Sequence, residues 1–333
     1  MMDAHEVTRR TSNKKLRFYG GIFNIIPGGS MILPLLAAAF LNTLFPDMFG
    51  KLGGMATGMF SESAMCLSGI VLFAVGTSLD FSGLAQLAKR GLPLFAAKLL
   101  VSFLAGIIYI RLFGMDGILG ISAVAFVCAI CACNPGVFSS LMRDYGDETD
   151  MAISMLVNIA ALPFWPLLVL SSSGTGAFPW KDVLSAVIPL LLGIGMGLLD
   201  PELKTIMLPV LPIAMPFMGV AFGSKLNIFT ALRAGGSGIV LALLYILING
   251  GILFLVDHYI CERPGYCGVS WASVTGISMV APTMLGKGYE QYVESTIPQL
   301  MLTLIISSLL TGYITKKVAM KWGSPTQNQT RGT

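Results

Sequence analysis

Between Leu92 and Phe113, and again between Gly238 and Val256, this chain runs through apolar sequence with very little charge. Crossing the hydrocarbon layer of a bilayer as a helix takes roughly 20 mostly apolar residues. Water-soluble domains interrupt their apolar sequence more often, because roughly a quarter of their residues are charged. Here 11% are charged and 55% hydrophobic, so most of the surface has to face something other than water. The pattern predicts an all-α integral membrane protein. Ten segments can be drawn: Ile25–Phe45, Ser63–Leu79, Leu92–Phe113, Ile118–Met142, Met151–Ser171, Val183–Leu199, Ile206–Phe222, Gly238–Tyr259, Val269–Leu285 and Thr296–Thr315. Short links between them predict one membrane domain over residues 25–317, with tails at 1–24 and 318–333 and no soluble domain.

With ten spans both tails share one side. That side collects the cluster from Arg9 to Arg17, Lys89, Arg90, Arg143, Lys204, Arg263 and the C-terminal Lys316, Lys317, Lys321 and Arg331. The other side holds Lys51, Arg111, Lys181, Lys225, Arg233 and Lys287. Excess Lys and Arg mark the cytoplasmic face, which predicts a plasma (inner) membrane protein with both termini in the cytoplasm. The cations sit at the ends of apolar runs rather than along one stripe, so the net charge of +4 is no nucleic-acid footprint. The polar, basic stretch Met1–Gly20 leads into an apolar run long enough to stay as a span, so no cleavable leader is expected.

The two halves of the chain echo each other. Pro34-Leu35-Leu36, followed after nine residues by Pro46-Asp47, returns as Pro189-Leu190-Leu191 and Pro201-Glu202. Gly76 to Phe81 returns as Gly223 to Ile228, and Pro135 in segment four matches Pro282 in segment nine. Segments one to five (about 25–172) then repeat as six to ten (about 182–317). Five is odd, so the second copy enters the membrane from the opposite face. Such inverted repeats are the architecture of many secondary transporters.

Prolines in the middle of segments four and nine break a helix or start a new half-helix. Unwound backbone at membrane depth persists only where it is buried or lines a wet cavity. Half-helix N-termini meeting there would present N–H groups and partial positive charge to an anion. Interruptions are therefore expected at Asn134-Pro135-Gly136 and at Ala281-Pro282-Thr283, and these residues are the candidate substrate site. Lys98, inside segment three, is either a snorkelling side chain or a counter-charge and coupling group, since a buried ammonium costs at least about 2.5 kcal/mol. Asp80 and Asn227 hold equivalent places at the ends of segments two and seven, where solvated caps are expected; Asp80 is kept as a second coupling candidate. Cys128, Cys131 and Cys133 lie in apolar sequence without neighbouring His or acid, which reads as packing rather than a metal site. No cofactor is expected. An enzyme would want a His, Asp or Glu cluster at one depth, and the only histidines, His5 and His258, lie in the tail and near a helix end, which argues against catalysis.

Ile26-Pro27-Gly28-Gly29-Ser30-Met31, Lys98, Asn134 and Gly136 with Tyr145-Gly146, and Gly197-Leu198-Leu199-Asp200-Pro201-Glu202-Leu203 together resemble the 2-keto-3-deoxygluconate permease family, over about Ile25 to Lys317. The resemblance implies a proton-coupled importer of 2-keto-3-deoxygluconate or a related aldonate or keto-sugar acid, with crossed, broken fourth and ninth helices. It also implies acidic residues shortly before the Asn-Gly motif and in segment five; those places hold Cys131 and Ala160. The alternatives are a sodium- or proton-coupled carrier of another organic anion and, with no mid-membrane carboxylate pair to support it, an inorganic ion exchanger.

Overall fold

The computed structural model describes residues 29–79, 84–172, 180–207, 209–225, 227–229, 235–285 and 289–325. Among these residues the chain is helical, with no strand beyond an isolated bridge between Ile118 and Ile121. The elements that position the site are α1 (Gly29–Leu44), α2 (Ser63–Ser78), α3 (Leu84–Phe113), α4 (Ala123–Cys131), α5 (Pro135–Tyr145), α6 (Ser154–Ala160), α7 (Phe164–Ser172), α8 (Trp180–Leu199) and α9 (Val210–Gly223). They continue with α10 (Gly235–Ile260), α11 (Tyr266–Ser270) and α12 (Glu290–Trp322). Helix α10 carries two π turns, Ile246–Gly250 and Val256–Ile260. Helix α12 runs five residues past the boundary expected at 317.

Among the described residues four elements are long and apolar enough to cross a bilayer: Lys89–Phe113, Ala123–Tyr145, α10 and α12. They become six if two bent pairs count as spans, Gly54–Phe60 with α2 at 58° and Glu148–Ala160 with α7 at 52°. Shorter apolar helices cover Ser30–Leu44, Val187–Leu199 and Pro212–Gly223. Many apolar side chains stay exposed along these helices, including Leu100, Leu112, Leu191, Leu192, Leu243 and Leu247. In water that surface would be untenable; in lipid it is the expected outer wall.

Helices α1, α2, α8 and α9 pack closely, with α9 against α1 and α8 against α2. Glycine makes both contacts possible. A Cβ on Gly223 would stand 2.2 Å from the Leu35 carbonyl oxygen, and one on Gly76 would stand 2.4 Å from that of Leu190. Gly219 meets Met31, while Gly193 and Gly197 meet Phe73 and Thr77, again through backbone carbonyls. Without a hydrophobic force between helices in lipid, small residues that let backbones approach are what hold such pairs. The obstructing atoms are main chain and cannot rotate away. The remaining helices surround the interruption of segment four, with α3, α10 and α12 all contacting α4.

Candidate functional site

Segment four is interrupted at Ala132–Asn134, so that of the expected Asn134–Gly136 only Asn134 lies outside a helix. Ala132 and Asn134 take extended backbone, and Pro135 opens α5 in its first turn, where the missing N–H costs nothing. Asn134 is the cap: its Oδ1 accepts from the N–H groups of Gly136 at 3.1 Å and Val137 at 3.2 Å. The half-helix therefore keeps its dipole, but the N–H groups expected to be free for an anion are held by the chain's own amide. The Asn134 Nδ2 donates to the Val274 carbonyl at 3.1 Å, tying the two interruptions together.

Segment nine is interrupted earlier than expected. The non-helical stretch is Ala272–Thr275; it leads into two 3-10 turns, Gly276–Met279 and Ala281–Met284. Pro282 lies in the first two positions of the second turn, where it is tolerated and breaks nothing. Neutral groups satisfy this stretch: Thr311 Oγ1 donates to the Ala272 carbonyl, and Ser307 Oγ accepts from the Val274 N–H at 3.0 Å. The two segments meet here. Helix α4 lies against the 3-10 turns and α5 against α11, with the Phe138 and Trp271 rings edge to face at 5.8 Å.

A cavity of about 360 Å³ opens where they meet. Asn134, Pro135, Gly136, Asn158, Thr275 and Gly276 line one side, and Ser30, Met31, Leu72, Val75, Pro212 and Met215 of α1, α2 and α9 line the other. No charged side chain is among the lining residues. That volume falls within the range of small-molecule sites. Of the expected site residues, Asn134, Pro135 and Gly136 line it. Ala281 and Pro282 are buried within the second 3-10 turn, and Thr283 turns its hydroxyl back to the Val280 carbonyl at 2.7 Å; none of the three lines the cavity. Asp80 lies outside the described residues. Asn227 is exposed and caps the Phe229 N–H at 2.9 Å, as a solvated cap would.

Lys98 neither snorkels nor lines the cavity. It is wholly buried, and its ammonium donates to the carbonyls of Ile130 at 2.8 Å and Ala132 at 2.7 Å and to Asn249 Oδ1 at 2.8 Å. These carbonyls are freed by the end of α4, where the helix dipole is negative, so a cation suits the place. Tyr245 donates its hydroxyl to the Ala132 carbonyl at 2.9 Å and offers its ring face to the ammonium at 5.3 Å. Asn249 and Tyr245 escaped the sequence reading. Their signal was an asparagine in the middle of segment eight, where a polar group needs a partner. In the structure Asn249 sits in a π turn, a feature common at functional sites. Cys128, Cys131 and Cys133 are buried free thiols, and Cys133 Sγ donates to the Val157 carbonyl at 3.2 Å.

A second polar group gathers at one end of the helices. Arg263 bonds Asp150 at 2.5 and 2.6 Å, Tyr266 OH donates to the same carboxylate at 2.8 Å, and Asp257 stands 3.7 Å from the guanidinium. Arg90 bonds Asp147 at 2.6 Å at its half-exposed rim. Partial burial pushes the Asp147 carboxyl up; the Arg90 hydrogen bond and the Asp150 N–H outweigh this and hold it below the ordinary aspartate value.

The sequence profile of the 2-keto-3-deoxygluconate permease family (KdgT) matches residues 22–324. A protein of Bacillus subtilis (strain 168) named 2-keto-3-deoxygluconate permease is 30% identical over 308 residues, covering 89% of this chain and 93% of that protein. The 2-keto-3-deoxygluconate permease 1 of Salmonella typhimurium is 27% identical over 299 residues, covering 89% and 94%. The 2-keto-3-deoxygluconate permease of Xanthomonas axonopodis pv. citri is 29% identical over 304 residues, covering 89% and 95%.

Proposed function

We propose, from the premise that this chain belongs to the 2-keto-3-deoxygluconate permease family, that it imports 2-keto-3-deoxygluconate or a closely related aldonate or keto-sugar acid together with protons. The family is one of carriers, so the chain is a membrane transporter rather than an enzyme. The observation that carries the reading is the cavity where the two segments meet, in which Asn134, Thr275, Asn158 and Ser30 converge on about 360 Å³ at the positive end of α5. The carboxylate of the anion would sit toward the dipole of α5, and its hydroxyls toward these four side chains. Lys98 would serve by holding the carbonyl end of α4, and so the position of Asn134, two residues beyond Ala132. Pro135 and Gly136 complete that wall. Ala281, Pro282 and Thr283 would act by buttressing the second interruption.

The chain is read as ten transmembrane segments in two inverted five-helix repeats, about 25–172 and about 182–317. The reciprocal contacts support this: Gly76 on the Leu190 carbonyl mirrors Gly223 on the Leu35 carbonyl, and both members of each pair had already matched between the two halves of the sequence. The Lys and Arg bias supports an inner-membrane orientation with tails 1–24 and 318–333 in the cytoplasm. Uptake of a labelled panel of sugar acids into proteoliposomes, with and without an inward proton gradient, tests the reading. Accumulation of 2-keto-3-deoxygluconate above other sugar acids, lost when the gradient is collapsed, is expected. Uptake driven by a sodium gradient alone would overturn the coupling, and absence of uptake of any sugar acid would overturn the substrate class.

A further inference from the structure

The surroundings of Lys98 are those of a bound cation rather than of an ion pair. Three neutral oxygens receive its ammonium, two main-chain carbonyls and one amide. Among the described residues no carboxylate lies within ion-pair distance of it. The oxygens are themselves oriented. Asn249 Nδ2 donates to the Ile130 carbonyl at 3.3 Å, which turns Oδ1 toward the ammonium, and Ser102 Oγ donates to the same carbonyl at 2.8 Å. Cages of neutral carbonyl oxygens are how proteins hold alkali cations stripped of water. The titratable groups that face Lys98 are Tyr245 from α10 and Cys131 and Cys133 from segment four, all neutral in their ordinary forms.

Building on the proton-coupled reading above, we propose that this cage is a monovalent-cation site with a tethered occupant, and that the cation which binds and leaves there during transport is the proton on Lys98. When that proton leaves, Nζ becomes a neutral amine with two hydrogens facing three acceptors, and the negative end of α4 loses its compensating charge. The freed carbonyl of Ala132 lies two residues before Asn134, which caps α5 and grips Val274. Protonation is thereby linked to the geometry of the cavity wall without any charged side chain in the cavity. Because the charge is covalently supplied, no sodium ion is needed at this place.

Purified full-length protein decides the matter in two measurements. Lys98→Ala vacates the cage. Its melting temperature is expected to rise by about 2–4 °C when saturating sodium or ammonium chloride replaces choline chloride, while the wild type does not respond. A folded Lys98→Ala protein indifferent to all three cations would overturn the site. Asn249→Asp, which tests the same cage if Lys98→Ala does not fold, places a carboxylate against the ammonium and favours its charged form. The alkaline limb of 2-keto-3-deoxygluconate binding is then expected to move upward by about one pH unit or more. A limb that stays in place would overturn the assignment of the proton to Lys98. Wild-type protein that binds no 2-keto-3-deoxygluconate would sink the substrate reading alone, and the sodium response would still decide the cage.

Discussion

The interruptions at Ala132–Asn134 and Ala272–Thr275 meet in space and face the same physical problem, since main-chain groups freed at membrane depth must be satisfied without water. They solve it differently. Segment four spends a charge and a cap: Lys98 on the carbonyls of Ile130 and Ala132, and Asn134 on the amides of Gly136 and Val137. Segment nine uses neutral hydroxyls from α12, Ser307 and Thr311, together with the amide that Asn134 extends to it. One interruption is therefore held by a charge and the other by neutral groups alone. Two sequences that read as matched proline breaks hold unlike electrostatics.

The comparison breaks first if Asn134 is dispensable. Asn134→Ala removes the α5 cap and leaves the Val274 carbonyl unpaired. A loss of about 2–4 kcal/mol in stability is expected, with loss of uptake. Asn134→Ser keeps a capping oxygen but is too short to span to Val274, and should recover about 1 kcal/mol. Denaturation of the three proteins in one detergent measures both. An Asn134→Ala protein as stable as wild type would mean that the first interruption does not depend on its cap.

Ser307→Ala strikes the neutral interruption instead. It strands the buried Val274 N–H, and a cost of about 1–3 kcal/mol is expected, with no change in the pH profile of uptake because no titrating group is touched. A shifted pH profile in this variant would erase the distinction between the two interruptions.

How much of this was legible beforehand depended on which signal each residue left. Lys98 stood out because a charge in an apolar run has few explanations, and Asn134-Pro135-Gly136 because a cap followed by proline is a helix start in any solvent. The reciprocal glycine contacts were foreshadowed by the matched motifs at Gly76 and Gly223. The interruption of segment nine was misplaced because Pro282 looked like a breaker, whereas a proline in the first positions of a turn breaks nothing. The interruption is Ala272–Thr275, in which only Val274 is neither small nor hydroxylated, and its backbone is held by side chains of α12 more than thirty residues away. Asn249 left a signal as an asparagine in an apolar segment, but its partners and those of Tyr245, carbonyls and the Lys98 ammonium, are reported by no sequence motif.

Tyr245→Phe gives a finer test of what satisfies the end of α4. The Ala132 carbonyl receives both the Tyr245 hydroxyl at 2.9 Å and the Lys98 ammonium at 2.7 Å. With the ammonium in place, deletion of the hydroxyl should cost no more than about 1 kcal/mol, read as a shift in denaturation midpoint. A loss well beyond this would show that the phenol, rather than the cation, carries the carbonyl.

Thr275→Val has the smallest expected effect on the fold and bears most directly on where the substrate binds. Thr275 stands at the N-cap of the turn Gly276–Met279, as Asn134 stands at that of α5, yet it makes no side-chain cap. Its side chain lines the cavity, and its hydroxyl pairs with no other described residue. Valine keeps the shape and β-branching that suit an extended backbone and removes only the hydroxyl. Stability should therefore change by less than about 0.5 kcal/mol. If the cavity receives a hydroxylated anion, the lost hydrogen bond of about 0.5–1.5 kcal/mol weakens binding by a factor of about 2 to 10. Because this interruption holds no charge, the proton dependence of uptake should stay where it is, in contrast to Asn249→Asp. Titration calorimetry with 2-keto-3-deoxygluconate, set beside a denaturation curve, reads both quantities on one preparation. Undiminished affinity would remove Thr275 from the substrate site and leave Asn134, Asn158 and Ser30 to account for its polarity. A large loss of stability would mean that the hydroxyl holds the interruption together after all, and that the two breaks are more alike than their hydrogen bonds suggest.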